Sequence, residues 1–575
     1  MSALEIIHDC FIRNGFIRVS SKADLPESLT GQFENYKFIY TGNIATVDGK
    51  YSVEALICFE YIPFTNWPKC FICNPESLIE VSKAHIESDN SYCYIDSEVN
   101  NLDISRPLES LLFSLACIQK QLALSFSGAN KGDVALELPS YLNNENVTEF
   151  YNDKSNDFDC IEYEQVRRNK YVIRPKDLSK DITSLLWQPE NYRAKRSLGL
   201  TVIKLDSPPD NFENLPLNSF RGLIDWLLKN QPNVIAKLTP ILFKNIKNKN
   251  LHSKQALLFQ YDINDDSINF LIVCSFSPSG LKLIKGTSAK RLRKVISSWN
   301  DQLCTKYFYT SKIINVNPID GVVRNIPERN LLNKSIALIG AGTLGGYVAE
   351  QMANLGAGLA TGNKAVKFDI YDYGILEPDN LSRHVLGYNS LWQNKSIELA
   401  NKLIKEHPLL SLSVNGQNLK ITPKNINLLK KYDLIINATG DQHASDTLNY
   451  LWHSEEINKP IIHGWIEGGG LGARAIRLHD KTSCFRCLRH LDNSPRYRIF
   501  KDETEQPMVR KGCGISYMPF PPTVSIRSAS MLVEVALNAV HSPKENYIYF
   551  DSMSEKLVTH TNKKLTRYKK CPVCS

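Results

Sequence analysis

The chain has 575 residues, a net charge of +8 and 43% hydrophobic content, enough for three or four domains with sizeable cores. The mild, dispersed basicity argues against a dedicated nucleic-acid binder, and no stretch approaches the ~18 apolar residues of a membrane span. The first ten residues lack the basic and apolar regions of a secretory signal. The expected compartment is the cytoplasm, where the fourteen cysteines should be thiols, metal ligands or catalysts rather than disulfides.

In chain order, Leu4 to Asn14 has helical periodicity. Two β-rich runs, 38–43 and 51–59, flank the Asp48-Gly49 turn, and Leu108 to Leu124 reads as an amphipathic helix. Further on, strands are expected at 198–205, 256–261 and 268–275, helices at 220–229 and 289–299, and a loop at 206–216. From about 321 the pattern changes. A buried-strand run at 335–340 leads into Gly340-Ala341-Gly342-Thr343-Leu344-Gly345 and a helix to about 355. Strands at 365–371 and 433–439 follow, an alternation that predicts a doubly wound parallel sheet.

In such a turn Gly340, Gly342 and Gly345 allow a tight bend and close approach of the backbone to phosphate oxygens, while the next helix offers free amides and its positive dipole end. Asp372, beyond the second strand, is placed to accept a ribose hydroxyl. These features alone fit a dinucleotide-dependent oxidoreductase as well as an ATP enzyme.

The segment from Asp372 through Asp379, Asn380, Leu381 and Arg383 resembles the "D-x-D-x-V-x-x-S-N-L-x-R" signature of the ubiquitin-activating and ThiF/MoeB adenylyltransferase family. Asp379 replaces the usual serine and Gly374 the second aspartate. Lys395, twelve residues after Arg383, matches the family's phosphate-binding lysine, and Thr439-Gly440-Asp441 resembles its "T-D-N" with one residue inserted. The resemblance implies ATP and Mg2+ as cofactors, Asp441 as the magnesium ligand, and Arg383 and Lys395 as neutralisers of phosphate charge. It also implies a homodimer, with Arg324 or Arg329 as candidates to reach into the partner's site.

Three Cys-x-x-Cys pairs occur where random placement gives roughly 0.34. Cys484/Cys487 and Cys571/Cys574 have the composition of a four-thiolate zinc site, which in the family is structural. Cys70/Cys73 has no second pair nearby and reads as packing. Cys513, between Gly512 and Gly514 and close to Arg510 and Lys511, stands where the family carries a thioester-forming cysteine. In the N-terminal part, the residues up to Cys93 resemble the "H-P-N-x-x-x-x-G-x-x-C" of ubiquitin-conjugating enzymes, with His85 on the oxyanion asparagine's position. His85 either substitutes for that asparagine or caps a turn.

The expected architecture is therefore α/β and α+β multidomain. It comprises a ubiquitin-conjugating-like α+β domain at 1–160, a middle α/β connector at 161–320, and a Rossmann-like ThiF/MoeB adenylation domain with structural zinc at 321–575. This order resembles the activating/conjugating fusion enzymes of bacterial CBASS antiphage systems. The resemblance implies adenylation of a protein C-terminus, capture at Cys513, transthiolation to Cys93 and ligation to an amine. The implied partners are a cGAS-like nucleotidyltransferase and an amine acceptor protein, with no membrane and no direct nucleic-acid role. A sulfur-carrier adenylyltransferase and a non-catalytic ubiquitin-like-protein-binding adaptor stay open as alternatives.

Overall fold

The computed structural model describes residues 3–21, 25, 33, 36–62, 64–79, 84–87, 89–96, 99–100, 102–130, 132–138, 142, 147–151, 157–165, 168–178, 186, 193–209, 217–235, 238, 254–263, 266–284, 291–361, 364–454, 457–497, 509–512, 515–517, 519–541, 545–552, 554–555, 557–558 and 560–575. They form two compact units that divide after Asn315.

The first unit begins with helix α1 (Ala3–Arg13) and an antiparallel meander of β1 (Ile17–Arg18), β2 (Phe38–Ala45), β3 (Ser52–Phe59) and β4 (Lys69–Ile72). Helix α2 (Pro107–Ser127) packs on this sheet through the stripe Leu111, Leu115, Ile118 and Leu122, spaced four, three and four residues apart. Proline opens the helix where an amide would have no partner. Left-handed Gly128 closes it, its amide bonding the Ser125 carbonyl at 3.0 Å. A short helix α3 (Asp133–Glu137) follows.

The rest of this unit combines helices Phe220–Asn230, Pro278–Ile284, Leu292–Ser297 and Asp301–Cys304, the first and third at the expected helical stretches, with a closed barrel of β5 (Val147–Phe150), β6 (Phe158–Gln165), β7 (Arg168–Pro175), β8 (Arg193–Lys204), β9 (Gln255–Ile263), β10 (Asp266–Phe276) and β11 (Thr305–Asn315), in the order β10-β11-β5-β7-β6-β8-β9. This differs from the expected α/β connector. Only the β11/β5, β5/β7 and β8/β9 pairs are parallel, and the boundary expected at 160 falls inside β6. The barrel was hidden because polar side chains punctuate its interior. Glu162 is fully buried, yet it accepts from Arg196 Nε at 2.6 Å and Lys254 Nζ at 2.7 Å, which offsets the cost of enclosing its charge.

The second unit is built on an eight-stranded sheet. Its parallel part is β12 (Ile336–Ile339), β13 (Phe368–Tyr371), β14 (Val414–Gln417), β15 (Leu434–Asn437) and β16 (Ile461–Glu467), arranged β14-β13-β12-β15-β16. All four residues of β12, of β13 and of β15 are buried, the mark of strands covered on both faces. Helices α4 (Thr343–Asn354), α5 (Lys395–Glu406) and α6 (Gln442–His453) follow β12, β13 and β15 respectively. Antiparallel β17 (Gly472–Leu478) and two C-terminal strands extend the sheet. The hairpin β18 (Val509–Gly512) and β19 (Ile515–Tyr517) precedes helix α7 (Pro522–His541). Among the described residues, α7 is the one helix long and apolar enough to cross a membrane. More than half of it is buried, and it packs against α4, β16 and β17.

Candidate functional site

The glycine turn leaves the C-terminal end of β12, where a doubly wound sheet places its ligands. Gly340 has φ +98°, and a Cβ there would come within 2.9 Å of the Thr439 amide nitrogen. A Cβ on Gly345 would fall 1.9 Å from the Gly340 carbonyl oxygen. Gly342 is different: a Cβ on it would meet nothing within 4 Å. Two glycines thus close the turn, and the third leaves room in front of it. Gly342 also caps α4 without any side-chain hydrogen bond, so the first amides of the helix are available to an anion.

Asp372 fastens this turn. Its Oδ2 accepts from the Ala341 amide and its Oδ1 from the Gly374 amide, both at 2.7 Å. Each oxygen retains a second acceptor position. Lys395, the first residue of α5, donates its amide to the Gly374 carbonyl at 2.9 Å. A Cβ on Gly374 would lie 3.7 Å from Lys395 Nζ and 3.9 Å from its Cδ, so the lysine stem crosses the position where the family signature has its second aspartate.

His384 is the residue that motif reading passed over. Its Nε2 bonds the Ala341 carbonyl at 2.8 Å, and its Nδ1 accepts from the Leu386 amide at 3.1 Å. Burial lowers its pKa, opposed by the Ala341 bond and reinforced by Lys395; Asp372 and Arg383 also act on the ring. The imidazole is therefore a neutral strut beneath the turn, and Asp372, Arg383 and Lys395 all surround it. Its adjacency to Arg383 was the only available signal.

Asn380 is engaged locally: it forms a reciprocal capping box with Glu377, whose amide it accepts at 3.1 Å. Asp441 caps α6, its Oδ1 accepting from His443 N at 2.7 Å and Ala444 N at 3.3 Å. The residue is exposed, and its Oδ2 is not part of that cap, which suits a magnesium ion that takes one protein carboxylate and the rest of its ligands from phosphate and water. The inserted Gly440 adopts φ +66° at the bend between Thr439 and the cap.

Cys484, Cys487, Cys571 and Cys574 converge, with all four sulfurs within 4.8 Å of one another and buried. Three of the Sγ–Sγ separations are 3.9, 3.6 and 3.3 Å, close to the ~3.8 Å edge of a tetrahedron of Zn–S bonds. The Tyr568 amide donates to Cys487 Sγ at 3.4 Å, the kind of outer contact that orients a thiolate ligand. The donor set fits a tetrahedral soft metal. Cys70 and Cys73 are both buried, their thiols pushed up by burial.

In the first unit Cys93 is exposed and lines a cleft of about 520 Å³ together with Asn66, Trp67, Lys69, Glu87 and Asn100. Partial burial raises its pKa, and the carboxylates of Glu137 and Glu87 raise it further against the opposing charge of Lys69. The Cys93 amide donates to the His85 carbonyl at 2.8 Å. The His85 ring itself sits between the carboxylates of α3, with Nδ1 3.2 Å from Glu137 and Nε2 3.4 Å from Asp133. His85 is also left-handed, at φ +68°. Cys513 lies outside the described residues. Arg329 is held within its own unit by Glu534 at 3.0 Å and Asn538 at 3.3 Å, and Arg324 bonds Asn325 at 3.3 Å.

The second unit is a parallel sheet with an open glycine turn bracketed by acidic and basic groups, the arrangement of a nucleotide-binding α/β fold, and residues 318–573 match the ThiF family. The chain is an enzyme, and it resembles the ubiquitin-activating-like fusion enzymes along nearly all of its length. It is 25% identical over 573 residues, 93% of each chain, to the ATP-dependent ubiquitin transferase-like protein Cap2 of Escherichia coli (strain TW11681). It is 30% identical to the protein of the same name from Pseudomonas aeruginosa (strain BWHPSA011 / Pa011), over 44% of this chain and 45% of that one. The solved structure of E. coli MccB with ATP aligns with 42% of this chain and 66% of its own, at 18% identity and a TM-score of 0.30.

Proposed function

We propose that this protein activates the C-terminus of a ubiquitin-like or similarly tailed protein with ATP and transfers it, through two thioesters, to an amine. The observation that carries the reading is the exposed Cys93 thiol in its own cleft, in a chain whose other half matches the ThiF family. A carboxylate oxygen of the substrate attacks the α-phosphorus of ATP, the bond to the β-phosphate breaks, and pyrophosphate leaves with the electron pair. The open turn at Gly342 cradles the phosphates, Asp372 takes the ribose, and Arg383 and Lys395 stabilise the charge that develops. Asp441 would hold the magnesium ion, which supplies further neutralisation of phosphate charge when bound. Zinc in the four-cysteine site would pin residues 571–574 to the short helical turn Phe485–Leu488 and its cap Cys484.

Cys513 thiolate then attacks the acyl carbon and AMP departs. Cys93 thiolate attacks that thioester and Cys513 leaves as thiolate. An amine nitrogen attacks the second thioester, loses a proton, and releases Cys93. The similarity to Cap2 proteins supports a CBASS setting, with a cGAS-like nucleotidyltransferase as the activated protein and a homodimeric enzyme as the working form.

Non-reducing gels of wild type, Cys513→Ala and Cys93→Ala, after incubation with ATP and the candidate substrate, test the relay. Adducts are expected at both cysteines, and Cys513→Ala removes the one at Cys93. A Cys93→Ala protein with unchanged adducts and products overturns the conjugating half of the reading.

A further inference from the structure

We propose that Phe520 is the positioning residue of the adenylation arginine, holding the Arg383 guanidinium over its ring. This deepens the adenylation reading above and rests on it.

The guanidinium carbon of Arg383 lies 4.8 Å from the Phe520 ring centroid. That is inside the ~6 Å range in which the negative face of an aromatic ring attracts a cation. Arginine keeps its charge at every physiological pH, and its planar head can stack on one face while its N–H edges point elsewhere. A phenyl platform therefore fixes the plane of the fork without consuming the donors a phosphate would need. A lysine ammonium can sit over a ring but has no plane for the ring to orient.

The ring's place is itself built. Against the base of the side chain runs Gly468-Gly469-Gly470, three consecutive residues with φ of +62°, +68° and +84°. A Cβ on Gly470 would come 2.4 Å from Phe520 Cβ and 3.1 Å from its Cγ. The glycine loop after β16 thus admits Phe520 at backbone distance, and a side chain at 470 would push it off. Pro521 and Pro522 follow at once and open α7, which limits the backbone freedom of the platform.

Phe520 also stands three residues after β19, on the strand-helix connection that leads from the segment containing Cys513 into α7. The arginine that meets the phosphates and the polypeptide that carries the acyl-accepting thiol are thereby joined through one ring.

The test is ATP affinity of the full-length protein, measured by calorimetry with Mg-ATP, Mg-ADP and adenosine. No carrier protein is needed. Arg383→Ala is expected to weaken ATP about tenfold or more while sparing adenosine. Phe520→Leu should weaken ATP about threefold to tenfold, the range of a partly shielded cation–ring contact, and Phe520→Trp should restore it. In an Arg383→Ala background Phe520→Leu should add nothing. Gly470→Ala, which displaces the ring without altering it, should copy Phe520→Leu. Melting temperatures establish that each variant is folded.

Equal losses in Phe520→Leu and Phe520→Trp, or full additivity with Arg383→Ala, overturn the proposal: the ring would then be packing alone. A wild-type protein that binds no ATP overturns instead the adenylation reading on which it rests.

Discussion

The two candidate centres are built on opposite plans. The candidate nucleotide site is made largely of main chain: Ala341 and Gly374 amides tied to Asp372, an α4 terminus with no side-chain cap, and glycines whose value lies in what they lack. The Cys93 centre is made of side chains drawn from separate segments. Lys69 and Glu87 line its cleft, and the α3 carboxylates reach it through His85. A main-chain site tolerates almost any neighbour but no misplaced Cβ. A side-chain site tolerates backbone adjustment but depends on charge. The experiments below are chosen to break that contrast.

The largest effect should come from the metal cluster, since four thiolates around a structural zinc contribute on the order of 10 kcal/mol. Cys571→Ser is expected to lose metal, measured by elemental analysis at one equivalent per wild-type chain, and to expose residues 316–575 to limited proteolysis. A Cys571→Ser protein with undiminished protease resistance would show that the cluster is four packed thiols.

Next are the main-chain contacts. Gly345→Ala forces a Cβ to 1.9 Å from a carbonyl oxygen, an overpacking that costs about 3 kcal/mol and should lower the melting temperature of the second unit. Gly342→Ala meets open space at an ordinary φ of −72°. It should melt like wild type yet lose ATP binding, because its methyl occupies the phosphate's approach. Stability loss without binding loss at 342, or the reverse at 345, would invert the assignment of which glycine closes the turn and which opens it. Lys395→Ala, removing one charge-assisted phosphate contact, should slow pyrophosphate exchange about a hundredfold with an unchanged melting profile.

The same contrast explains what could be read from the chain. The turn, Asp372, Arg383 and Lys395 occur within 56 residues of one another, in an order that local βα geometry dictates, so spacing alone locates them. The cysteine pairs are equally visible, because each binds as a unit whatever the distance between them. His384 escaped because its role is a hydrogen bond to the Ala341 carbonyl, 43 residues earlier, and no spacing rule encodes that. The barrel escaped for a related reason. Its β5, four residues long, pairs in parallel with β11 more than 150 positions away, and its interior contains Glu162, which breaks the apolar alternation that marks a strand. His85 was aligned by motif to an oxyanion role or a cap. Its ring lies between two carboxylates that come from α3, a helix the motif does not include.

The smallest effect tests the side-chain plan where it is most exposed to argument. Partial burial and then the carboxylates of Glu137 and Glu87 raise the Cys93 pKa, so the reactive thiolate fraction grows as pH rises. Glu87 is itself half-buried and adds to that negative field. Removing its charge in Glu87→Gln should therefore move the acid limb of Cys93 acylation to lower pH. Near pH 7 the variant should be alkylated by iodoacetamide about twofold to fivefold faster than wild type, the size expected of one partly screened charge. At high pH, where both thiols are ionised, the two rates should converge. A limb that moves to higher pH would mean that Glu87 favours the thiolate, through a hydrogen-bond relay or by holding Lys69 near the sulfur. The cleft would then be tuned to activate its nucleophile rather than to restrain it until an acyl donor and its charges arrive.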